Sequence, residues 1–412
     1  MSNVIRADFA EVNARLREAI KPLDTTPELV PLLEAQGRIL AEDIRTQFDF
    51  PLFDNSAMDG FAIRTIDFAS GDATPATLPV CGLATAGHPF AGDLPAGTAL
   101  RIMTGAPLPA GFDAVIPIEK TEIVDDGVRF APGLLKAGEN VRRQGEIFRA
   151  GECLLTAPRL LTRADLGLAA SLGYARLACH PRLRIAVFSS GDELVPPADG
   201  TPLADGLIYN ANGTFATLAA RALGADADDL GILPDDPSVI ESRLAEAINR
   251  YDLIVCSGGV GPGDCDFTAA VLNRLADLHH YHVAMRPGKP FSFGSFHHSS
   301  KLLLGLPGNP VATATSAEFF LRTTVRAMQG LDDTPLTFRA RLDGIVKTKP
   351  GRRDFIRGTL SAADDGTLVF RPASQQSSAS LLGVSQSNAV AIIPEAANGR
   401  LSDISVDVLL QQ

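Results

Sequence analysis

The sequence predicts a multidomain α/β protein: a doubly wound parallel-sheet domain, a helical domain with a β-rich insertion, and a small C-terminal β-barrel-like domain. Three observations predict it. Between about 181 and 330, apolar strand-like runs alternate with helical patterning, the signature of a parallel sheet covered on both faces. The stretch before about 145 is rich in Gly and Pro and broken into short β-like runs such as TALRIM and DAVIPIE. After Leu331, alternating segments such as FRARLDGIV, RDFIRGTL and TLVF surround the turn signal DDG.

Residues 8–50 read as helical. Asp8 can cap FAEVNARLREAI, and ELVPLLEAQGRILAEDI follows the turn-prone DTTP. Helical patterning returns in LTRADLGLAASLG. Segments 1–50 and 146–180 are therefore expected to form one helical domain, with 51–145 inserted as a β-rich module. The α/β domain is expected over 181–330, and the terminal β domain over 331–412.

The α/β part parses strand by strand. RLRIAVF runs into SSGDE, ADDLGIL into PDDP, DLIVC into SGGVGPGDCD, YHVAM into RPGKP, and KLLLGL into PGNP. Asp236 followed by Pro237 makes a helix start, N-cap then proline at the first helical position. Every Gly-, Pro- or acid-rich loop follows a strand, and ligands of open α/β sheets bind outside the carboxyl ends of the strands. Asp192, Glu193, Asp235, Asp236, Asp264 and Asp266 would place carboxylates along that edge, where they repel unless protons or a cation intervene. Mg²⁺ shared with a substrate phosphate satisfies them. Gly258, Gly259, Gly261 and Gly263 let backbone N–H groups approach an anion near Ser190, and Arg286 and Lys289 add charge. A phosphate ester bound with a metal ion is the simplest substrate class.

Each feature has a plainer reading. Asp236 is a helix cap, and Glu193 and Asp266 can be caps or solvated surface carboxylates. SGGVGPGD lacks the GK[ST] of a Walker loop. The histidines of HHYH and His297-His298 have no other placed metal ligands beside them. FDNSAMDGFA, aperiodic and polar between apolar flanks, can be an Asx turn followed by an Asp-Gly turn. Composition narrows the field further: the net charge of −11 argues against non-specific nucleic-acid binding. Five cysteines without a CxxC pair encode neither a disulfide framework nor a zinc site. No apolar run approaches the ~20 residues of a membrane span, and MSNVIRADFAEVNARL lacks a signal-peptide core, so a cytoplasmic location is expected.

FDNSAMDGFA, RIMTGAPLP, NVRRQGE, FSSGDEL, LGILPDDP, SGGVGPGDCD, MRPGKPFSFG, GLPGNPVA, PGRRDFIRG and QQSSASLLGVSQSNA occur in the order expected of the molybdopterin molybdenumtransferases, the MoeA or gephyrin E-domain family. The resemblance covers nearly the whole chain. It implies insertion of molybdenum into adenylylated molybdopterin, using molybdate and releasing AMP, by elongated homodimers of four-domain subunits with Mg²⁺ as cofactor. It also implies an α/β domain similar to the separate molybdopterin adenylyltransferases. That enzyme and the proteins that mature molybdenum enzymes are prospective partners. Asp59 and Thr104 match site positions of the β-rich domain, and Glu193, Asp235 and Asp266 match acidic positions of the α/β domain, with Glu193 and Asp266 as prospective metal ligands. Lys289, Pro307 and Pro310 match loops at the pterin and oxyanion end. Arg352 and Ser378 match C-terminal positions that bind the anion. The resemblance further implies that Asn55, Ser56 and Asp59 face a neighbouring subunit's cleft while Phe53 and Phe61 anchor the stretch in its own domain.

Three departures from the family pattern stand out. His282 and Arg286 replace two lysines, Ile147 replaces an acid, and Pro262 stiffens the glycine loop. Two other functions remain open on sequence alone: adenylyl transfer to molybdopterin, against which the NSAMDG module and terminal β domain count, and a gephyrin-like scaffold role.

Overall fold

Along RIAVFSS, Ile185 and Val187 join one buried apolar cluster and Ala186 and Phe188 another, so the strand is covered on both faces, as its unbroken apolar run requires. The computed structural model describes residues 4–68, 75–125, 127–131, 136–199, 202–259, 267–332 and 334–411. Contacts divide the chain into two units: Met1–Ala41, Pro158–Thr162 and Arg176–Gln412 form the larger, Glu42–Ala157 and Arg163–Ala175 the smaller.

In the larger unit, β1 (Ile5–Ala7) and α1 (Phe9–Ala19) precede β2 (Arg184–Ser190), α2 (Ala211–Ala222), β3 (Asp226–Leu233), α3 (Pro237–Arg250) and β4 (Leu253–Ser257). Then come α4 (Phe267–Leu275), β5 (Ala276–Val283), β6 (Pro290–Phe296), β7 (Leu302–Leu306), α5 (Pro310–Ser316) and α6 (Arg322–Met328). The seven strands form one sheet in the order β1-β5-β6-β7-β4-β2-β3. Phe9, Val12 and Leu16 of α1, Ala216 and Ala220 of α2, and Val325 and Met328 of α6 cover one face. Ile240 and Leu244 of α3, with Val271 and Leu272 of α4, cover the other. The sheet is doubly wound, as expected, with one difference: β6 is antiparallel to both neighbours. Sequence reading assigned no strand to PFSFGSF. Because the two reversals cancel, β5 still runs with β7, and the loops after β2, β3, β4, β5 and β7 emerge at one edge. Asp236 caps α3 as expected, accepting from Ser238 N at 2.8 Å, with Pro237 as the first helical residue. The long helix expected over VATATSAEFFLRTTVRAM continues from α5 to α6 through a π-turn at Ala317–Leu321.

The C-terminal strands β8 (Thr337–Leu342), β9 (Arg353–Ala362), β10 (Leu368–Pro372), β11 (Ala389–Ile393) and β12 (Ser405–Leu410) close a small barrel, since β9 pairs with both β10 and β11. Strand β9 buries both faces. Ile356 lies in the barrel core, whereas Phe355 lies in the sheet's core, with its ring 4.3 Å from Phe319 and 5.1 Å from Phe9. A two-residue strand, Met285–Arg286, pairs parallel to β9 with Arg286 opposite Asp354, which ties the RPGKP loop to the barrel.

The expectation of helices over 8–50 holds only for α1, where Asp8 accepts from Glu11 N at 2.7 Å. ELVPLLEAQGRILAEDI instead forms the strands Glu28–Pro31, Ile39–Leu40 and Ile44–Arg45 with a 3-10 turn at Leu32–Glu34. Distant partners decide this: Glu28–Pro31 pairs with Arg176–His180, and Ile39–Leu40 with Arg159–Leu160. LTRADLGLAASLG does contain a helix, Arg163–Ser171. Among the described residues, segments 1–50 and 146–180 thus combine the helices Phe9–Ala19 and Arg163–Ser171 with seven short strands and are not helical throughout. The smaller unit is β-rich as expected, built on a sheet of Ala114–Pro117, Gly60–Ile63, Ala99–Ile102 and Val80–Ala84.

Candidate active site

The ends of β2, β4 and β7 meet at glycine. Gly258 has φ +79° and packs so closely under β2 that a Cβ there would lie 2.4 Å from the Ser190 carbonyl oxygen. Its own N–H donates to Leu306 O at 3.1 Å, and Gly308 lies against its Cα, so no side chain fits between these strand ends. Gly259 follows with φ +60°. The loop from Pro307 to Pro310 is fixed from below: Ser257 Oγ donates to Pro307 O at 3.1 Å and Asn212 Nδ2 to Gly308 O at 2.7 Å. Asn309 then caps α5, with Pro310 as its first residue.

The acidic candidates divide. Glu193 is exposed, folds back against Gly191, and makes no ion pair among the described residues. Asp235 is exposed at the end of β3. Asp236 serves as the cap, its carboxyl held below the usual range by the Ser238 hydroxyl first and then by backbone N–H groups. Asp266, with Gly261, Gly263 and Asp264, lies outside the described residues. Among the described residues no group of three His, Cys, Asp or Glu is placed to hold a metal ion, so neither the histidine runs nor Glu193 forms a protein-only cage.

The basic candidates converge where the RPGKP loop meets the barrel. A cleft of about 1030 Å³ is lined by Arg286, Lys289, Arg352 and Ser378, all expected from the sequence, and by Lys347, Arg357 and Arg371. Its centre of order is Asp354, fully buried. One carboxylate oxygen accepts from Arg286 at 3.0 Å and from the Thr348 hydroxyl at 2.7 Å, while Arg352 Nε lies 3.0 Å from the other as an ion pair. Register explains the first contact, since Arg286 is paired opposite Asp354. Arg357 is 3% exposed and donates to the carbonyls of Gln375 and Ser377, next to Ser378; burial pushes its guanidinium pKa down. Asn309 and Ala312 also line the cleft, and Val311 N donates to Ser378 O at 3.4 Å. The Pro307–Pro310 loop therefore links the strand-end loops to the basic cleft.

A second hollow of about 660 Å³ shares Lys289 and Arg352 and adds Arg6 and His282, with Asp8 and Glu11 opposite. Burial, then Lys289 and Arg6, holds the His282 imidazole below its ordinary value, so it adds no charge at neutral pH.

In the smaller unit, Asp59 and Thr104 form a pair. Asp59 Oδ1 accepts from both the backbone N and the hydroxyl of Thr104 at 2.7 Å, and these bonds, the backbone one foremost, lower its pKa. The side chain is exposed and ionised. Two expectations for FDNSAMDGFA are corrected. Asn55 and Ser56 are turned inward, at 6% and 0% exposure, because the segment pairs with Val141–Arg142; Phe53 is 43% exposed, while Phe61 is buried. Asp54 anchors the turn instead, accepting from Arg143 at 2.6 Å and from Gln144 N at 2.8 Å. Ile147 is exposed.

Sequence reading missed Asp354, Arg357 and Lys347. The available signal was in PGRRDFIRG, where one acid among three arginines marks a residue with more cations than it can pair.

Three family profiles match the chain in order: "MoeA N-terminal region (domain I and II)" over residues 7–173, "Probable molybdopterin binding domain" over 186–327, and "MoeA C-terminal region (domain IV)" over 339–410. A Haemophilus influenzae protein named molybdopterin molybdenumtransferase is 38% identical over 359 residues, covering 87% of each chain. One of the same name from Synechococcus elongatus is 37% identical over 372 residues, covering 89% of this chain and 90% of the other. The crystal structure of the molybdopterin biosynthesis moeA protein from Pyrococcus horikoshii superposes with a TM-score of 0.84 at 26% identity, covering 99% of this chain and 100% of that one. Matched along almost its whole length by sequence and by fold, this chain belongs to the MoeA family of molybdopterin molybdenumtransferases.

Proposed function

We propose that the protein inserts molybdenum into adenylylated molybdopterin, taking molybdate and releasing AMP. The observation that carries this reading is the basic cleft lined by Arg286, Lys289 and Arg352, which reaches Asn309 of the loop whose Gly308 packs against Gly258 at the strand ends. Cations suit a tetrahedral dianion, and Arg352 and Arg286 are oriented by Asp354 rather than left to find their own geometry. The Gly258 N–H is already given to Leu306 O, so of the two glycines it is Gly259 whose backbone suits a phosphate oxygen. Opening the phosphoanhydride transfers no electrons: the water oxygen goes to one phosphorus, and AMP and the pterin phosphate separate, each carrying charge that the cleft's cations stabilise.

The role of Mg²⁺ belongs to the same proposal. Glu193 has a carboxylate free of ion pairs among the described residues, and oxygen donors of this kind fit an ion that shares its coordination with substrate phosphates. Glu193 and Asp266 would hold it, and it would neutralise developing phosphate charge. We also propose a homodimer, to be checked by light scattering, in the cytoplasm, where a molybdopterin adenylyltransferase would supply the substrate and proteins that mature molybdenum enzymes would receive the product.

Incubation with adenylylated molybdopterin, with and without molybdate, tests the reading. Molybdate-stimulated AMP release supports it, and Arg352→Lys should raise the molybdate concentration needed several-fold while leaving pterin binding nearly unchanged. AMP release indifferent to molybdate would reject it in favour of adenylyl chemistry, and no turnover would favour a scaffold role.

A further inference from the structure

Adjoining the basic cleft, with which it shares Arg286, Lys347 and Arg352, lies a hollow of about 310 Å³ lined also by Lys349 and Arg400, with Thr348 and Gly399. Two short strands build it. Val346–Thr348 pairs antiparallel with Gly399–Leu401, and the register sets Lys347 directly opposite Arg400. Opposed residues of such a pair project to one face with Cβ atoms ~5 Å apart, and like charges placed so are destabilising. Lys349, two residues on from Lys347, projects to the same face. Lys347, Lys349 and Arg400 make no ion pair among the described residues, and no carboxylate lines the hollow. Asp354, which accepts from the lining residue Thr348, is already shared by Arg286 and Arg352. Five cations thus face one small space in a chain whose net charge is −11.

We infer that this hollow is a second anion site, adjoining the substrate cleft and centred on Lys347, Lys349 and Arg400, which takes one tetrahedral dianion, either free or as the terminal phosphate of a monoester. The lining offers N–H donors in quantity and a single hydroxyl, so the ligand must be an acceptor. The volume holds an oxyanion with its water, not a pterin with a nucleotide. A dianion between Lys347 and Arg400 turns a repulsive cross-strand pair into two attractive contacts. The site stands independently of the proposed reaction, because Lys349 and Arg400 line this hollow and not the cleft.

Equilibrium dialysis decides it, with tungstate in one arm and AMP in the other, both at low chloride. Wild type should retain about one equivalent per chain more than the Lys349→Gln/Arg400→Gln variant, while Lys349→Arg/Arg400→Lys should keep that equivalent. Loss with tungstate identifies a free oxyanion, and loss with AMP alone a phosphate monoester. Arg400→Glu, which supplies Lys347 with a counter-charge, should melt higher than wild type in the absence of dianion and should bind none there. Equal stoichiometry in wild type and the double glutamine variant in both arms overturns the inference, as does a lower melting temperature for Arg400→Glu.

Discussion

Gly258→Ala should loosen the strand ends that shape the site, and the structure separates its two costs. The residue has φ +79°, where an L side chain costs about 1–2 kcal/mol. The new methyl would also lie 2.4 Å from the Ser190 carbonyl oxygen, a backbone atom that cannot swing aside, so β2 and β4 must part at their carboxyl ends. Overpacking of that kind costs about 1–3 kcal/mol more. Gly206→Ala is the control: φ is +86°, but nothing lies within 4 Å of the place its methyl would take, so only the first cost applies. With about 2–4 °C lost per kcal/mol in a domain of this size, Gly258→Ala should melt roughly 10 °C below wild type and Gly206→Ala roughly 4–5 °C below. Thermal melts followed by circular dichroism measure both, and AMP release should fall for Gly258→Ala alone. If the two variants melt within about 2 °C of each other, the steric part of the argument is wrong.

Other expectations are shorter. Burial pushes the Glu318 carboxyl up against the opposing pull of Arg322, so its contribution to stability is full below the unfolded value of 4.5 and declines as pH rises through the higher folded value. Glu318→Gln should remove that decline, and its melting advantage over wild type should grow between pH 5 and pH 8; a constant difference would contradict the assignment. His282, lowered from 6.5, is neutral at pH 7 and gains a charge beside Lys289, Arg6 and Arg352 as pH falls through its depressed value, with Asp8 and Glu11 across the hollow. Sulfate binding should therefore tighten as pH drops below 6.5, and His282→Gln should flatten that profile. For the proposed homodimer, Asp59→Ala and Arg352→Ala proteins should each be inactive, and heterodimers verified by mass should regain AMP release; dead heterodimers would assign Asp59 to its own subunit's site or to structure alone.

The sheet was legible because its strands state their class locally. RLRIAVF, DLIVC and KLLLGL are continuous apolar runs ended by glycine or proline, and Asp236-Pro237 and Asn309-Pro310 announce the helices that follow. ELVPLLEAQGRILAEDI misled because its leucines have helical spacing, yet Leu29 and Leu33 are 67% and 95% exposed. Its conformation is set by Arg176–His180, a partner some 147 residues away, counting from Val30 to Leu177, and no local pattern reports that. The basic half of the site was read from Arg286, Lys289, Arg352 and Ser378. Asp354, which orients two of them, was not, because a buried carboxylate and an exposed one look alike in sequence. Asn55 and Ser56 were read as surface groups for the same reason: polarity marks what a side chain needs, not where the chain supplies it.

The edge strand β1 carries a consequence for synthesis on the ribosome. Ile5 pairs with Tyr281, so this strand has its partner 276 residues later. At ~5–20 residues per second, β1 and the apolar face of α1 wait roughly 15–55 s after emerging before β5 exists to receive them. Over that interval every residue of the smaller unit, Glu42–Ala157 and Arg163–Ala175, has already been made. Strand β1 is therefore among the last parts of the large sheet to be stitched in, and Phe9, Val12 and Leu16 of α1 offer a nascent-chain chaperone an apolar face throughout that wait.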